Sequence, residues 1–437
     1  MAVKPASTAR RRLPWIDDVR ASMQRVKIGG RPLNWYLSGW RLGLIFLVIV
    51  LLFPWFAGKT FVDVAIPIAI YVILAVGLNI VVGYAGLLDL GYVAFFAIGS
   101  YVEATGTFGA IQLNSTTGET RPLPVLSFWL LLPLGAVVAG FFGVLLGAPT
   151  LRLRGDYLAI VTLGFGEIIP VIFNYAPFWF GNTGISANPP PDFNLFGSTI
   201  SFTDPLDRTP FYYMVVIVAV LVVLASVSLR DSSLGRAWVA IREDETAAAT
   251  SGVNLVRTKL LAFGLGATAG GLGGVINAAY LQAIAPVDFS FYISISILIM
   301  IVLGGIGSIA GVIVGAIILR FIDVYLLGQI NTAIHGSALV TNTGSPLHFL
   351  ASLDFNTAKF LLYGLILLAM ILLRPQGLIP NVRRQRELKG IGASVEGASA
   401  VGLLAREEAD IGGPVEDDVG DSSSFVGSGS DAQGREN

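Results

Sequence analysis

Long apolar blocks alternate with short polar connections along this chain. Ten blocks read as helical spans: 42–58, 61–82, 86–109, 124–149, 156–180, 210–229, 258–282, 290–305, 308–328 and 357–373. A hydrocarbon core of about 30 Å takes roughly 20 apolar residues as a helix. Several blocks are apolar on every side, so periodicity assigns them no inward face. The pattern predicts an all-α, polytopic transmembrane helical bundle of about ten spans. If two neighbouring blocks form one broken helix, the count falls to eight or nine.

Orientation follows from basic residues, which gather in cytoplasmic loops. They concentrate in the 1–41 arm, at Arg152 and Arg154, between Arg230 and Lys259, and after the last span at Arg374, Arg383, Arg384, Arg386 and Lys389. Ten spans put all four groups on one side, with both termini cytoplasmic. The loops at 110–123, 181–209 and 329–356 are poor in Lys and Arg and fall on the other side. The chain thus divides into a basic cytoplasmic arm (1–41), a membrane domain (42–380) and an acidic, Gly/Ser-rich tail (381–437). The tail is too polar to offset its ordering entropy and is expected to be disordered. The arm is longer and more polar than a signal peptide's basic region.

The connection Arg230–Lys259 carries the densest charge between two spans. Its middle is rich in Ala, Arg and Glu, and Gly252 closes that run. A short polar helix held between spans, with no reactive group of its own, is a docking surface for something outside the chain.

Composition supports the membrane reading. The 437 residues are 54% hydrophobic and 13% charged, with a formal net charge of −1, against roughly 25% charged in soluble domains. No basic field exists for nucleic acid. The chain has no cysteine, so disulfides, thiolate chemistry and Cys-ligated metal are excluded, and its two histidines, His335 and His348, read as solvated residues of a Gly/Ser/Thr-rich loop. The string Gly58-Lys59-Thr60 lacks the glycine of a phosphate-binding loop at Phe53 and follows no strand. The chain is therefore no enzyme, needs no cofactor, and must draw energy from an ion gradient or a separate ATPase.

Polar groups inside spans are costly and mark pathways or partner helices. Glu167 lies about 16 Å along its helix from Asp156, near mid-membrane, with Pro170 one turn on. Asp89 sits between Gly86 and Gly91, where a helix break is expected, and Glu103 follows in the same block. Asn79 and Asn277 are uncharged candidates for a translocation path, alongside Asp89, Glu103, Asp156 and Glu167. Asp323 reads as a solvated residue near the outer end of its span. Glycines or alanine recur every fourth residue at Gly135, Ala139, Gly143 and Gly147, and at Gly307, Gly311 and Gly315, giving seams of close helix approach. The cluster Gly264, Gly266, Gly270, Gly271, Gly273 and Gly274 is dense enough to suggest an unwound segment.

These blocks resemble a known family. Gly77-Leu78-Asn79 through Gly83 and Ala85 through Phe95 resemble the first block of the branched-chain amino-acid ABC importer permeases. Leu153-Arg154-Gly155-Asp156-Tyr157 through Glu167-Ile168 is similar to the signature of the LivM-type member. Gly235-Arg236-Ala237-Trp238 with Ile241-Arg242-Glu243-Asp244-Glu245, then Val302 through Ser308, and Arg374-Pro375-Gln376-Gly377-Leu378 complete the pattern over roughly 40–380.

The resemblance implies a permease subunit of an ATP-driven importer in the bacterial cell membrane. Its implied partners are a second, LivH-type permease, two cytoplasmic ATP-binding subunits and an extracytoplasmic substrate-binding protein, within lipid. The Arg236–Gly252 region resembles the family's ATPase-docking element: Ala247, Ala248 and Gly252 hold its Ala-Ala and Gly places, with Thr246 where that motif has Glu and the acid one place earlier at Glu245. The implied coupling residues are Arg236, Arg242, Glu243, Asp244, Glu245, Ala247, Ala248 and Gly252. The segment Phe180 through Ser186 departs from the family's Thr-Gly-Gly outer loop. Leucine, isoleucine and valine are the family's default cargo, with other amino acids, urea or amides also open. Two rival readings use the same residues: an ion-coupled transporter working through Glu167, Asp89 or Glu103, and a membrane scaffold that moves nothing.

Overall fold

The computed structural model describes residues 27–28, 31–32, 39–112, 120–150, 156–176, 181–195, 198–202, 204, 207–335, 355–374 and 377–379. Most of the basic arm, the Arg152–Arg154 junction, Phe180, His348 and the 381–437 tail lie outside the described residues.

Helices carry the fold. They are α1 (Gly39–Phe56), α2 (Lys59–Leu78), α3 (Val93–Phe108), α4 (Phe128–Thr150), α5 (Asp156–Tyr175) and α6 (Thr209–Asp231), then the short α7 (Ser233–Glu243) and α8 (Glu245–Thr250). After these come α9 (Leu255–Leu281), α10 (Phe291–Gly304), α11 (Ile309–Phe321), α12 (Leu327–His335) and α13 (Phe355–Leu373). A π turn, Asn79–Tyr84, extends α2, and another, Ile322–Leu326, joins α11 to α12. The few strands form two-stranded antiparallel pairs. One of them joins β1 (Ile185–Ser186) to β2 (Ala283–Ile284).

Among the described residues seven helices are long and apolar enough to cross a membrane: Lys59–Tyr84, Phe128–Pro149, Tyr157–Tyr175, Thr209–Asp231, Leu255–Leu281, Pro286–Gly304 and Ile309–Thr332. The first and last predicted blocks hold shorter apolar helices, Ile45–Phe56 and Lys359–Leu373. The predicted block 86–109 is shortened to the 16 residues of α3, because the chain from Ala85 to Tyr92 is irregular. The break expected at Asp89 is there.

The glycine-dense stretch corrects its expectation. It is not unwound: α9 runs 27 residues without interruption, roughly 40 Å at 1.5 Å per residue. Its glycines are spent on contact with three neighbours. Toward α4, a Cβ on Gly271 would press on Ala139 and one on Gly264 on Val144; toward α3, one on Gly274 would strike the Phe96 carbonyl; toward α2, one on Gly273 would meet Leu74. Without a hydrophobic drive in lipid, this close backbone approach supplies the dispersion contact. The cost in helix propensity, about 1 kcal/mol per glycine in water, is outweighed by packing on three sides. The hairpin α10–α11 repeats the device, with Gly304 facing the Gly311 carbonyl and Gly315 facing that of Met300.

Prolines inside spans leave carbonyls without a donor, and tyrosines supply one. Pro54 cannot donate to the carbonyl of Val50, which accepts from Tyr212 Oη at 2.7 Å instead. Pro67 frees the carbonyl of Asp63, which accepts from Tyr280 Oη at 3.3 Å. These bonds tie α6 to α1 and α9 to α2. The outward sides of α4, α6 and α13 are carbon-rich, with Val137, Phe141, Leu221 and Leu361 exposed, as a lipid-facing surface requires.

Gly274→Val should lower the melting temperature of the detergent-solubilised protein, with a loss of about 1–3 kcal/mol or more from overpacking. Gly328→Ala in α12, where a Cβ meets no atom within 4 Å, should match or slightly exceed wild type. A thermal-shift assay on both variants checks the pair.

Candidate functional site

The predicted docking connection folds as two helices, α7 and α8, with a corner at each end. Ser232 caps α7: its Oγ accepts from Gly235 N at 3.2 Å and donates to the Leu229 carbonyl at 2.6 Å. The turn from α6 is tight enough that a Cβ on Gly235 would collide with the carbonyls of Leu229 and Arg230. Asp244 separates α7 from α8 in extended conformation, and its Oδ1 accepts from Thr246 N at 2.8 Å and Ala247 N at 3.0 Å. That is an N-cap. Gly252 closes α8 at φ +85, a left-handed conformation favouring glycine. Asn254 then caps α9 by accepting from Arg257 N.

The two helices are amphipathic, and the eight predicted coupling residues divide between their faces. Arg236, Glu243, Asp244, Ala247 and Gly252 are exposed; Ala248 is buried, and Arg242 and Glu245 are partly covered. On the inner side Trp238 is fully buried, and its Nε1 donates to the Thr258 carbonyl at 2.7 Å, joining α7 to the first turn of α9. Lys259, also buried, pairs through Nζ with Glu245 Oε1 at 2.6 Å, which ties α8 to the same turn.

Arg242 makes the deepest connection. Its guanidinium donates to the Gly83 carbonyl in the π turn after α2. Its stem crosses Gly86 (φ +72), where a Cβ would lie 2.6 Å from Arg242 Cγ. Gly307 (φ +82) is on the other side, its Cβ position 3.4 Å from Arg242 Nη1. Asn79 completes this corner: its Oδ1 accepts from Gly307 N at 2.9 Å. Beside it, Leu378 N and Ile379 N donate to the carbonyls of Leu303 and Gly304, and Gly377 (φ +78) lies against Gly305.

The predicted path residues do not share one cavity. Asn79 is a buried strut of the corner just described. Asp89 is buried; Oδ1 accepts from Gly91 N at 2.9 Å, while Oδ2 has no partner and borders a cavity of about 10 Å³ with Thr162 and Phe165. That volume holds one water at most, not an amino acid. Glu103 is fully buried in α3 with both carboxylate oxygens unpartnered. Asn277 is half-buried on α9. Asp156 opens α5, and its side chain lies outside the described residues. Glu167 is exposed on the outer side of α5. Asp323, expected to be solvated, is instead covered, pairing with Arg320 and, at 3.8 Å, with Lys359. At the far end of α9, β1 and β2 edge a cavity of about 400 Å³ lined by Phe108, Thr183, Ser186 and Asp288.

With this arrangement in view, comparison is decisive. The family described as the branched-chain amino acid transport system / permease component matches residues 60–371. The chain belongs to the branched-chain amino acid permease family. It is 38% identical over 371 residues to the high-affinity branched-chain amino acid transport system permease protein LivM of Salmonella typhimurium strain LT2, covering 80% of this chain and 77% of that one. The LivM protein of Escherichia coli K12 gives the same figures. The LivH permease protein of Escherichia coli K12 is 26% identical over 271 residues, 60% of this chain and 83% of its own. No solved structure matches.

In this permease the corner also depends on residues that the sequence did not single out. Thr258 and Lys259 sit in what reads as a basic loop end, yet both are buried anchors. Tyr84 and Ser226, joined at 3.3 Å, brace the π turn against α6. Lys259 had one usable signal: its place one turn into a capped helix, facing the acid of the preceding one.

The Lys259–Glu245 pair should be measurable as a double-mutant cycle. Glu245→Gln strands a buried ammonium and should cost about 1–2 kcal/mol, discounted from the fully buried case because Glu245 keeps solvent contact. Adding Lys259→Met should restore part of it. Thermal unfolding in detergent reads the coupling.

Proposed function

We propose that this permease is the membrane subunit of an ATP-driven importer of branched-chain or related amino acids, and that α7–α8 is where a separate ATPase docks. The observation that carries the reading is the two-faced build of α7–α8. Its outer face presents Arg236, Glu243, Asp244 and Ala247. Its inner face is bonded to α9 through Trp238 and to the end of α2 through Arg242. A load on the outer face therefore reaches two spans that pack against each other.

The chemistry is positional. An ATPase that closes on ATP displaces α7–α8, and α2 and α9 follow. The glycine seams let those spans shift against α3 and α4, so that the substrate is exposed alternately to each side. The partners of this reading are a LivH-type permease, two ATP-binding subunits and an extracytoplasmic binding protein, which docks at the β1–β2 end. The permease sits in the bacterial inner membrane with ten spans and both termini cytoplasmic, which places α7–α8 beside the ATPases. The 1–41 arm and the 381–437 tail are cytoplasmic in this reading and take no part in coupling. Asn79 is a strut and Asp89 a loop holder in this reading, Glu103 is buried with neither carboxylate oxygen bonded, and Glu167 is the path residue with access. The ion-coupled alternative loses its support with membership of a permease family whose transport systems use separate components.

Reconstitution with the partner subunits tests this. Arg242→Ala should leave the assembled complex intact and ATP hydrolysis running, while uptake falls at least tenfold. Asp244→Ala should also depress uptake, whereas Asp244→Asn, which keeps the cap, should retain most of it. Undiminished uptake in Arg242→Ala would remove the segment from the mechanism. Uptake that needs no ATP and collapses with an ionophore would reinstate the alternative.

A further inference from the structure

We infer that the outer stripe of α5 is the face on which the second membrane subunit sits, with Glu167 at the seam; this rests on the importer reading above. The stripe is Tyr157, Ile160, Gly164, Ile168, Val171 and Tyr175, spaced three or four residues apart along one side of the helix, and its large side chains are exposed. Gly164 has no atom within 4 Å of its Cβ position, unlike the glycines of α9. Small residues with open space on an apolar helix are where another helix approaches closely.

Glu167 decides between lipid and protein as the cover. It is the twelfth of the 20 residues of α5, near mid-span, and it is exposed without a hydrogen-bond or ion-pair partner among the described residues. The outward sides of α4, α6 and α13 show carbon at the same depth, so lipid suits them and not α5. A carboxylate facing hydrocarbon costs several kcal/mol, so the occupant must offer a cation or hydrogen-bond donors at that level. The occupant is a permease of the same fold rather than an unrelated protein, because the chain aligns with both LivM and LivH sequences. A route between two such subunits also fits the interior, where the cavity beside Asp89 has no room for an amino acid.

The absence of cysteine gives a clean cross-linking background. The full chain would be co-expressed with its second permease and treated with a bismaleimide. Ile160→Cys and Ile168→Cys, each with single cysteines on the partner, should give cross-linked heterodimer; Leu221→Cys on α6 and Leu365→Cys on α13 should give none. Gly164→Trp should melt like wild type on its own, yet co-purify at least tenfold less second subunit, and Glu167→Leu should weaken the pair in the same direction. Heterodimer cross-links only from α6 or α13, cross-links only between two copies of this chain, or full co-purification with both substitutions would overturn the surface alone. If the unsubstituted chain never co-purifies with a second permease, the importer reading falls and this surface with it.

Discussion

A helix interrupted in a membrane must find partners for its backbone inside the protein, since lipid offers none. Much of this permease is arranged around one such interruption, from Asn79 to Tyr92. Ala85 N and Leu87 N turn back to the carbonyls of Ile80 and Val81. Leu90 N donates to Thr162 Oγ1 at 3.1 Å, Gly91 N to Asp89, and Val93 N to Ser294 Oγ at 2.9 Å. The Gly83 carbonyl is met by Arg242. Each bond recruits a different element: α5, the loop itself, α10 and α7. The need to satisfy one unwound stretch is what brings the dispersed sequence blocks to a common place.

That arrangement explains why α7 is more than a surface. Arg242 is at once the donor that completes the broken helix and the last turn of α7. A charge-assisted hydrogen bond of this kind is roughly twice as strong as a neutral one, and Asn79 ties the same turn to Gly307. Displacing α7 therefore disturbs the backbone satisfaction of α2 and the glycine turn before α11 together. Continuity of α9 matters for the same reason. An unwound glycine segment would absorb a push from Trp238, whereas an intact helix of about 40 Å delivers it to β2 at the far end.

The hydrophobic pattern made the elements legible, because lipid thickness fixes helix length directly. The break at Asp89 was legible too, from its flanking glycines. The state of α9 was not, because glycine spacing is the same for a loose helix and a tightly packed one; only the positions of Ala139, Phe96 and Leu74 around it distinguish them. Within the Arg230–Lys259 connection, charge identified the outer face, with Arg236, Glu243 and Asp244, but hid the inner one. Lys259 is charged and buried, and Arg242 is charged and partly covered, so a rule that equates charge with solvent misplaces both. Glu167 fails in the opposite direction: mid-span charge implies cover, and its own chain leaves it exposed.

The far end of the bundle has its own clamp, and it limits what can move. Arg320 lies over the Tyr71 ring at 4.0 Å and pairs with Asp323, which also holds Lys359 of α13. Tyr292 of α10 stacks on Tyr363 of α13. Thus α2 and α11 are joined just past the end of α2 by Asn79 with Gly307 and, midway along α2, by Tyr71 with Arg320. Two helices tied at two levels move as one piece. α5 is held by Thr162 and Gly166 against the 85–92 stretch and by Phe173 stacked on Tyr101 of α3, and about a quarter of its apolar length is covered by its own chain (28%). Its outer side, with Glu167 near mid-span, is left to whatever lies beside it in the membrane.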